Sequence, residues 1–150
     1  MANNALFSAC LAELERSDLN GFALRSEAMR LLDGIPGYDW SGIYRLEGDV
    51  LVLDAFVGAP TEHMRIPVGV GVCGTAVASG ESQIIGDVRE LENYLSCSLS
   101  TRSEIVVLIH DEQGAVLGQI DIDSHEVNRF DGTDEAFLAR IAEILASRWS

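Results

Sequence analysis

A strict alternation of polar and apolar residues runs through Gln119-Ile120-Asp121-Ile122-Asp123. A period of two is typical of a β-strand, and it sends Asp121 and Asp123 to one face while Ile120 and Ile122 enter the core from the other. If water reaches the acidic face, solvation satisfies both carboxylates. If loops cover it, the carboxylates require a cation such as an ammonium group, or one of them must be protonated. The strand therefore predicts either a solvated face or an acidic ligand site.

The preceding predicted strand begins with a third acidic residue, Glu104. The runs Glu104–His110 and Val116–Asp123 are rich in β-forming residues, and residues 111–114 between them form a polar turn that ends in glycine. Two such runs joined by a short turn predict an antiparallel hairpin. Glu104, at the start of its strand, is therefore expected to join Asp121 and Asp123.

A second hairpin is predicted earlier in the chain, where Trp40–Leu46 and Val50–Phe56 flank a polar turn at residues 47–49. Trp40 and Tyr44 are separated by an even number of residues, so they share one face of their strand. They form either the aromatic walls of a ligand pocket or an ordinary sheet core. The alternation does not decide between the two.

Helical periodicity marks four further segments. Amphipathic helices are predicted over residues 6–14 and from about residue 22 to 34, and a short helix over Cys73–Ser79. A last helix is expected to begin at Thr133, whose hydroxyl can cap it, and to bury an apolar face against the sheet. Residues 58–72 carry three glycines and two prolines and are interpreted as a loop.

These elements predict one α+β domain over residues 1–150. Helices at both ends of the chain must bury their apolar faces against the hairpins. We therefore expect an antiparallel sheet with the N- and C-terminal helices on one face. The long loops are expected to close over the other face and to leave a ligand pocket beneath them.

Charge and hydropathy exclude several classes of partner. The net charge is −14, and all ten basic residues are arginines with no cluster among them, so the protein should repel nucleic acid and anionic lipid. The glycine-rich residues 69–75 match neither the P-loop nor the dinucleotide fingerprint. Apolar runs such as Ile105–Ile109 are too short to cross a bilayer. No nucleic-acid or membrane partner and a cytoplasmic location are expected.

Three cysteines with no CxxC pair argue against both a disulfide framework and a metal site. Cys10 lies on the apolar face of the first helix and is expected to fill the core. Cys73 lies near a helix start, where it is either a thiolate favoured by backbone N–H groups or a small buried hydrophobe. Cys97 lies among Ser and Thr residues in a polar segment, which favours a reactive thiol.

The sequence resembles one known family in four pieces and in the intervals between its cysteines. Twenty-four residues separate Cys73 from Cys97, and seven separate Cys97 from Glu104. With this spacing the pieces resemble the free methionine-R-sulfoxide reductases, which are GAF-domain enzymes. The four pieces are Trp40–Tyr44, Arg65–Ala76, Ser103–Val107 and Leu117–Ser124.

The resemblance implies a thiol-dependent reductase that converts free methionine-R-sulfoxide to methionine through a sulfenic acid and an intramolecular disulfide. It implies that Cys97 is the nucleophile and that Cys73 is the remaining thiol at the pocket. It implies no bound cofactor, thioredoxin or another thiol as reductant, and a homodimer. The residues that it assigns to the substrate are Glu104, Asp121 and Asp123, which bind and polarise it, and Trp40 and Tyr44, which wall the methyl pocket.

The chain departs from the family pattern at three places. His63 stands where the family usually has a third cysteine, residues 94–98 differ around the nucleophile, and Leu108 replaces a common proline. Two alternatives therefore stay open beside the reductase. One is a non-catalytic GAF sensor for a small ligand, and the other is a peroxide-sensing thiol protein built on Cys97.

Overall fold

A computed structural model describes residues 3–91 and 100–150 of the chain. Among these residues six strands form one sheet, and every pairing between neighbouring strands is antiparallel. The strands are β1 (Trp40–Glu47), β2 (Val50–Val57), β3 (Arg65–Pro67), β4 (Gln83–Ile85), β5 (Ser103–His110) and β6 (Val116–Ser124). Their order across the sheet is β3-β2-β1-β6-β5-β4. Both predicted hairpins are present, and β6 joins them by pairing with β1.

Three helices cover one face of the sheet. They are α1 (Asn4–Arg16), α2 (Gly21–Leu32) and α4 (Gly132–Ser147). Their apolar stripes pack against every second residue of the central strands, including Ile105, Ile120 and Ile122, which are fully buried. Cys10 belongs to this core, as predicted. The arrangement confirms the predicted placement of the N- and C-terminal helices on the same face.

The opposite face carries α3 (Gly71–Ser79), which ends at Gly80 in the left-handed conformation that favours glycine. A second apolar cluster lies beneath this helix and includes Cys73, Val106 and Leu108. Gly74 allows the helix to approach β3, because a Cβ at this position would lie 2.5 Å from the Pro67 carbonyl oxygen. The second face is therefore covered by α3 and its flanking loops.

Two expectations about local structure are wrong. Residues 58–72 are not a continuous loop, because Ile66 pairs with Leu51 and places β3 at the edge of the sheet. A three-residue strand set among glycines and prolines has no detectable period. The cap of α4 is Asp131 rather than Thr133, and its carboxylate accepts hydrogen bonds from the backbone N–H groups of Thr133 and Asp134 in a capping box.

Within the described residues, no helix is long and apolar enough to cross a bilayer.

Candidate active site

The register of the three central strands brings the predicted acidic residues together. Asp123 on β6 pairs with Trp40 on β1 and with Glu104 on β5, so these three residues form one row across the sheet. Asp121 lies in the next row, between Gly42 and Val106. Since alternate residues of a strand point to the same face, Asp121 and Asp123 both face away from the three-helix layer. Glu104 lies beside them, as expected from the hairpin.

Burial decides between the two interpretations of this acidic face. Glu104 is 2% exposed, and Asp121 and Asp123 are each 1% exposed, so the loops and α3 cover all three carboxyl groups. Thr101 is also buried and donates a hydrogen bond from its hydroxyl to Asp123 Oδ2 at 3.4 Å. Solvation therefore does not account for the three acids, and the site must supply protons or a cation to balance their charge.

Cys73 lies in the same cluster, in the first turn of α3. Its thiol is buried and donates to Glu104 Oε2 at 4.0 Å. One ligating atom from each of Cys73, Glu104 and Asp121 lies within 4.8 Å of the others. The position of Cys73 agrees with the expectation of a small buried hydrophobe, because the residue packs in an apolar cluster, and Cys73 also contacts the acidic group; the thiolate stays a prediction.

Burial raises the pKa of the Asp121 carboxyl above its ordinary value, and hydrogen bonding with Glu104 and Cys73 lowers it only in part. A carboxyl group whose charged form is desolvated retains its proton to higher pH than an exposed one. Asp121 is therefore suited to hold a proton inside the buried cluster of carboxyl groups.

The two aromatic residues expected on this face are both there. The Trp40 ring lies over Gly42, where a Cβ would come within 2.3 Å of a ring carbon, and its indole N–H donates to the Ala59 carbonyl at 2.9 Å. Tyr44 is fully buried, and its hydroxyl donates to the His63 carbonyl at 2.9 Å. These hydrogen bonds fix both rings on the same face as the carboxyl groups.

The structure adds residues to the site that the sequence analysis did not assign. Gln119 is fully buried on β6 between Tyr44 and Leu108, on the same face as Asp121. The alternation that selected Asp121 and Asp123 also includes Gln119, so the same pattern could have placed Gln119 on the acidic face. Thr101 gave no such signal, because its contact with Asp123 depends on how the chain enters β5.

Cys97 lies in residues 92–99, outside the described part of the chain. The last described residue before this segment, Leu91, lines a cavity of about 120 Å³ at the start of α3. The cavity is also lined by Gly71, Val72, Thr75, Gln83 and Ile85.

Comparison with known proteins defines the class of this fold and site. Residues 24–149 match the GAF domain family model. A solved GAF domain superposes with a TM-score of 0.91 at 30% identity, covering 99% of this chain and 89% of that one. The chain is also 42% identical over 117 residues to Protein YtsP of Bacillus subtilis, across 77% of this chain and 71% of that protein.

Relatives with a named activity narrow the class further. The free methionine-R-sulfoxide reductase of Escherichia coli is 39% identical over 129 residues, across 83% of this chain and 76% of that protein. The X-ray structure of the Neisseria meningitidis free methionine-R-sulfoxide reductase in complex with its substrate has a TM-score of 0.86 at 33% identity, across 96% and 86% of the two chains. The chain belongs to the free methionine-R-sulfoxide reductases, a family of oxidoreductases with the GAF fold.

Proposed function

We propose that this protein reduces free L-methionine-(R)-sulfoxide to methionine with electrons from a thiol. The observation that carries the proposal is the burial of Glu104, Asp121 and Asp123 on one sheet face, together with the Cys73 thiol at 4.0 Å from Glu104. Three covered carboxyl groups favour a ligand that brings a positive charge and accepts a proton. A zwitterionic amino acid with a sulfoxide oxygen has both properties.

Recognition of the free amino acid follows from the charge of this cluster. The ammonium group of the substrate neutralises Asp121 and Asp123, which a methionine sulfoxide inside a peptide does not do because its nitrogen is an amide. Trp40, beside Asp123 in the sheet, supplies an apolar wall for the methyl group, as does Tyr44. The pocket thus selects for the charge of the backbone nitrogen as well as for the side chain.

In the chemical step, the Cys97 thiolate attacks the sulfoxide sulfur while a carboxylic acid protonates the sulfoxide oxygen. The substrate ammonium favours the ionised form of Asp121, and the proton that burial holds on Asp121 passes to Glu104, which shares a hydrogen bond with it and serves as that acid. Collapse of the adduct transfers the oxygen to Cys97, so methionine leaves and Cys97 becomes a sulfenic acid. The substrate gains two electrons, which the cysteine sulfur loses.

Cys73 is proposed to resolve the sulfenic acid. Its sulfur attacks Cys97, an S–S bond forms, and the sulfenic oxygen leaves as water. Thioredoxin or another dithiol then reduces the disulfide. Cys10 is the other described cysteine, and it lies in the three-helix core on the opposite face of the sheet. Mass spectrometry of protein oxidised by substrate should therefore find a Cys73–Cys97 bridge, whereas a bridge to Cys10 would contradict this step.

Turnover of the purified reduced protein tests the function itself. With dithiothreitol and free methionine-R-sulfoxide, methionine should accumulate over many cycles per protein molecule. Binding of the sulfoxide without turnover would support the alternative of a GAF sensor. Oxidation of Cys97 by peroxide with neither binding nor turnover would support the peroxide-sensing alternative. The homodimer, the cytoplasmic location and thioredoxin as the physiological reductant remain predictions, as does the single domain over residues 1–150.

A further inference from the structure

The acidic cluster also has the composition of a metal site. A thiol and two carboxylates from three separate elements, α3, β5 and β6, place one ligating atom each within 4.8 Å of the others, and all three side chains are buried. We propose that Cys73, Glu104 and Asp121 bind a divalent cation of borderline softness, with Zn²⁺ as the type, and that the bound ion inhibits the protein. The inhibition rests on the proposed function, whereas the binding does not.

A neighbouring amide is the second observation that points to a ligand. Gln119 is fully buried, and among the described residues neither its amide oxygen nor its amide nitrogen has a hydrogen-bond partner. It is two residues from Asp121 on the same face of β6, and it pairs with Tyr44 and Leu108, which belong to the apolar cluster that holds Cys73. Leaving a buried amide unsatisfied costs roughly 1–3 kcal/mol. A cation in the cluster offers the amide oxygen a partner.

The donor set favours zinc over the common hard cations. Zn²⁺ takes four ligands in a tetrahedron, with bonds of about 2.3 Å to sulfur and about 2.0 Å to oxygen, so its ligand atoms lie about 3.3–3.7 Å apart. The distance of 4.0 Å from Cys73 Sγ to Glu104 Oε2 requires only a small contraction to reach that geometry. Mg²⁺ and Ca²⁺ prefer oxygen ligands alone in larger shells, so a thiolate discriminates against them.

The spacing of these three residues in the sequence did not indicate a metal site. The absence of a CxxC pair argued against a zinc site, but here the ligands are 31 and 17 residues apart in the chain, at positions 73, 104 and 121. The antiparallel hairpin β5–β6 brings Glu104 beside Asp123 and one row from Asp121. The first turn of α3 then places the Cys73 thiol close to Glu104 and Asp121.

Inhibition follows from competition for the same groups. The ion and the substrate ammonium both require Asp121, and the ion carries twice the charge. Coordination also occupies the Cys73 thiolate, which then cannot attack the Cys97 sulfenic acid. On binding, the thiol proton and any proton held by the two carboxyl groups pass to the solvent buffer, so the ion replaces protons in the cluster.

Calorimetric titration of the reduced, chelator-treated full chain with ZnCl2 tests the site without any substrate. One ion should bind per chain, with a heat that varies with the ionisation enthalpy of the buffer because protons are released. Cys73→Ser should weaken binding by at least about tenfold, since loss of even an outer-shell partner costs 10–100-fold. The matched control, Cys10→Ser, should bind as the wild type does. Equal affinity in both variants, or no binding, would overturn the proposal.

Two further measurements keep the test decisive. Glu104→Gln should also weaken binding, which provides a second variant if Cys73→Ser fails to fold. Co²⁺ in place of Zn²⁺ should give a thiolate-to-metal absorption band that Cys73→Ser lacks and Cys10→Ser retains. If the band is absent from the wild-type protein, Cys73 is not a ligand.

Two activity assays separate the zinc site from the proposed reductase activity. Turnover with dithiothreitol is measured with a chelator present, and then with free Zn²⁺ buffered at rising concentrations in a separate assay with a monothiol reductant. Zinc binding at Cys73 without any turnover would retain the site and refute the reductase. Turnover that buffered zinc leaves unchanged would retain the reductase and refute the inhibition.

Discussion

The two faces of the central hairpin β5–β6 are built from neighbouring residues and are both buried, but they differ in polarity. Ile105, Ile120 and Ile122 point to the helices and are fully buried among aliphatic side chains. Glu104 and Asp121 precede or follow them by a single residue and are buried on the other face with Cys73. The same strands thus carry an apolar core on one side and an acidic site on the other.

The difference separates what stabilises the fold from what recognises a ligand. Burial of the isoleucines removes apolar surface from water and stabilises the folded state by about 25 cal/mol per Å². Burial of an ionised carboxyl group destabilises the folded state, and the raised pKa of Asp121 is a consequence of that cost. We expect substitutions on the helix face to change stability, and substitutions on the pocket face to change activity.

The largest effect is expected from replacing Cys97, the proposed nucleophile, with Cys10 in the helix-face core as the control. Cys97→Ser should abolish reduction of methionine sulfoxide even with excess dithiothreitol, because it removes the proposed nucleophile and no external thiol takes its place in the pocket. Cys10→Ser, on the helix face, should retain turnover. The rate of methionine formation checks both. Activity of Cys97→Ser above about a tenth of wild type, far more than such a loss leaves, would refute the assignment.

A large effect on stability is expected on the helix face alone. Ile120→Ala should lower the free energy of unfolding by about 2–5 kcal/mol, because it opens a cavity in the three-helix core. For a chain of this length, that corresponds to a loss of about 4–20 °C in Tm. Thermal unfolding by circular dichroism measures it. At temperatures where the variant is folded, kcat should be near that of wild type, and a selective loss of kcat would show that the two faces are coupled.

Asp121→Asn, on the pocket face, is expected to stabilise the folded protein, whereas Ile120→Ala destabilises it. The pKa of Asp121 is raised in the folded state, so between its ordinary value of 3.8 and that raised value the folded state binds more protons than the unfolded state. Ionisation of Asp121 therefore reduces stability as the pH rises through this window. The variant cannot ionise, so it should unfold at a higher Tm than wild type near pH 7, while its activity falls.

The pH dependence supplies the control for that variant. The gain in Tm should shrink as the pH falls and disappear below about pH 4, where the wild-type carboxyl is protonated in both states. Thermal unfolding of both proteins between pH 3 and pH 8 measures the difference. A variant that is less stable than wild type throughout this range would show that the Asp121 carboxylate is paired favourably rather than desolvated.

Much of this architecture was predictable from the sequence because it depends on alternation. The period of two placed Asp121 and Asp123 on one face of their strand, and Trp40 and Tyr44 on one face of theirs. In the structure these two strands are neighbours and both sets of side chains lie on the same face of the sheet. Alternation cannot show whether a face is covered, since burial of the carboxyl groups depends on α3 and the loops. It also missed β3, where three residues are too few to show a period, and Thr101, whose contact is tertiary.

The site was less predictable than the fold for a physical reason. The contact of Cys73 with Glu104 and the close approach of Gly74 to the Pro67 carbonyl are tertiary contacts, which leave no periodic signal in the sequence. The cap of α4 shows the same limit on a local scale. Thr133 and Asp131 are both good N-cap residues, and the choice between them depends on where the backbone turns. The proposed role of Cys97, outside the described residues, remains a prediction from the family resemblance.

The recognition of charge by the pocket face is the central claim, and substrate selectivity tests it most directly. The specificity constant kcat/KM should be compared for free methionine-R-sulfoxide and its N-acetyl derivative, which differ in the ammonium group and share the sulfoxide. Without that group, the pocket loses the positive charge that neutralises buried Asp121 and Asp123, at a cost of roughly 1–3 kcal/mol. We expect kcat/KM to fall at least about tenfold for the derivative. Equal reduction of both compounds would contradict the account, even if the protein is a reductase.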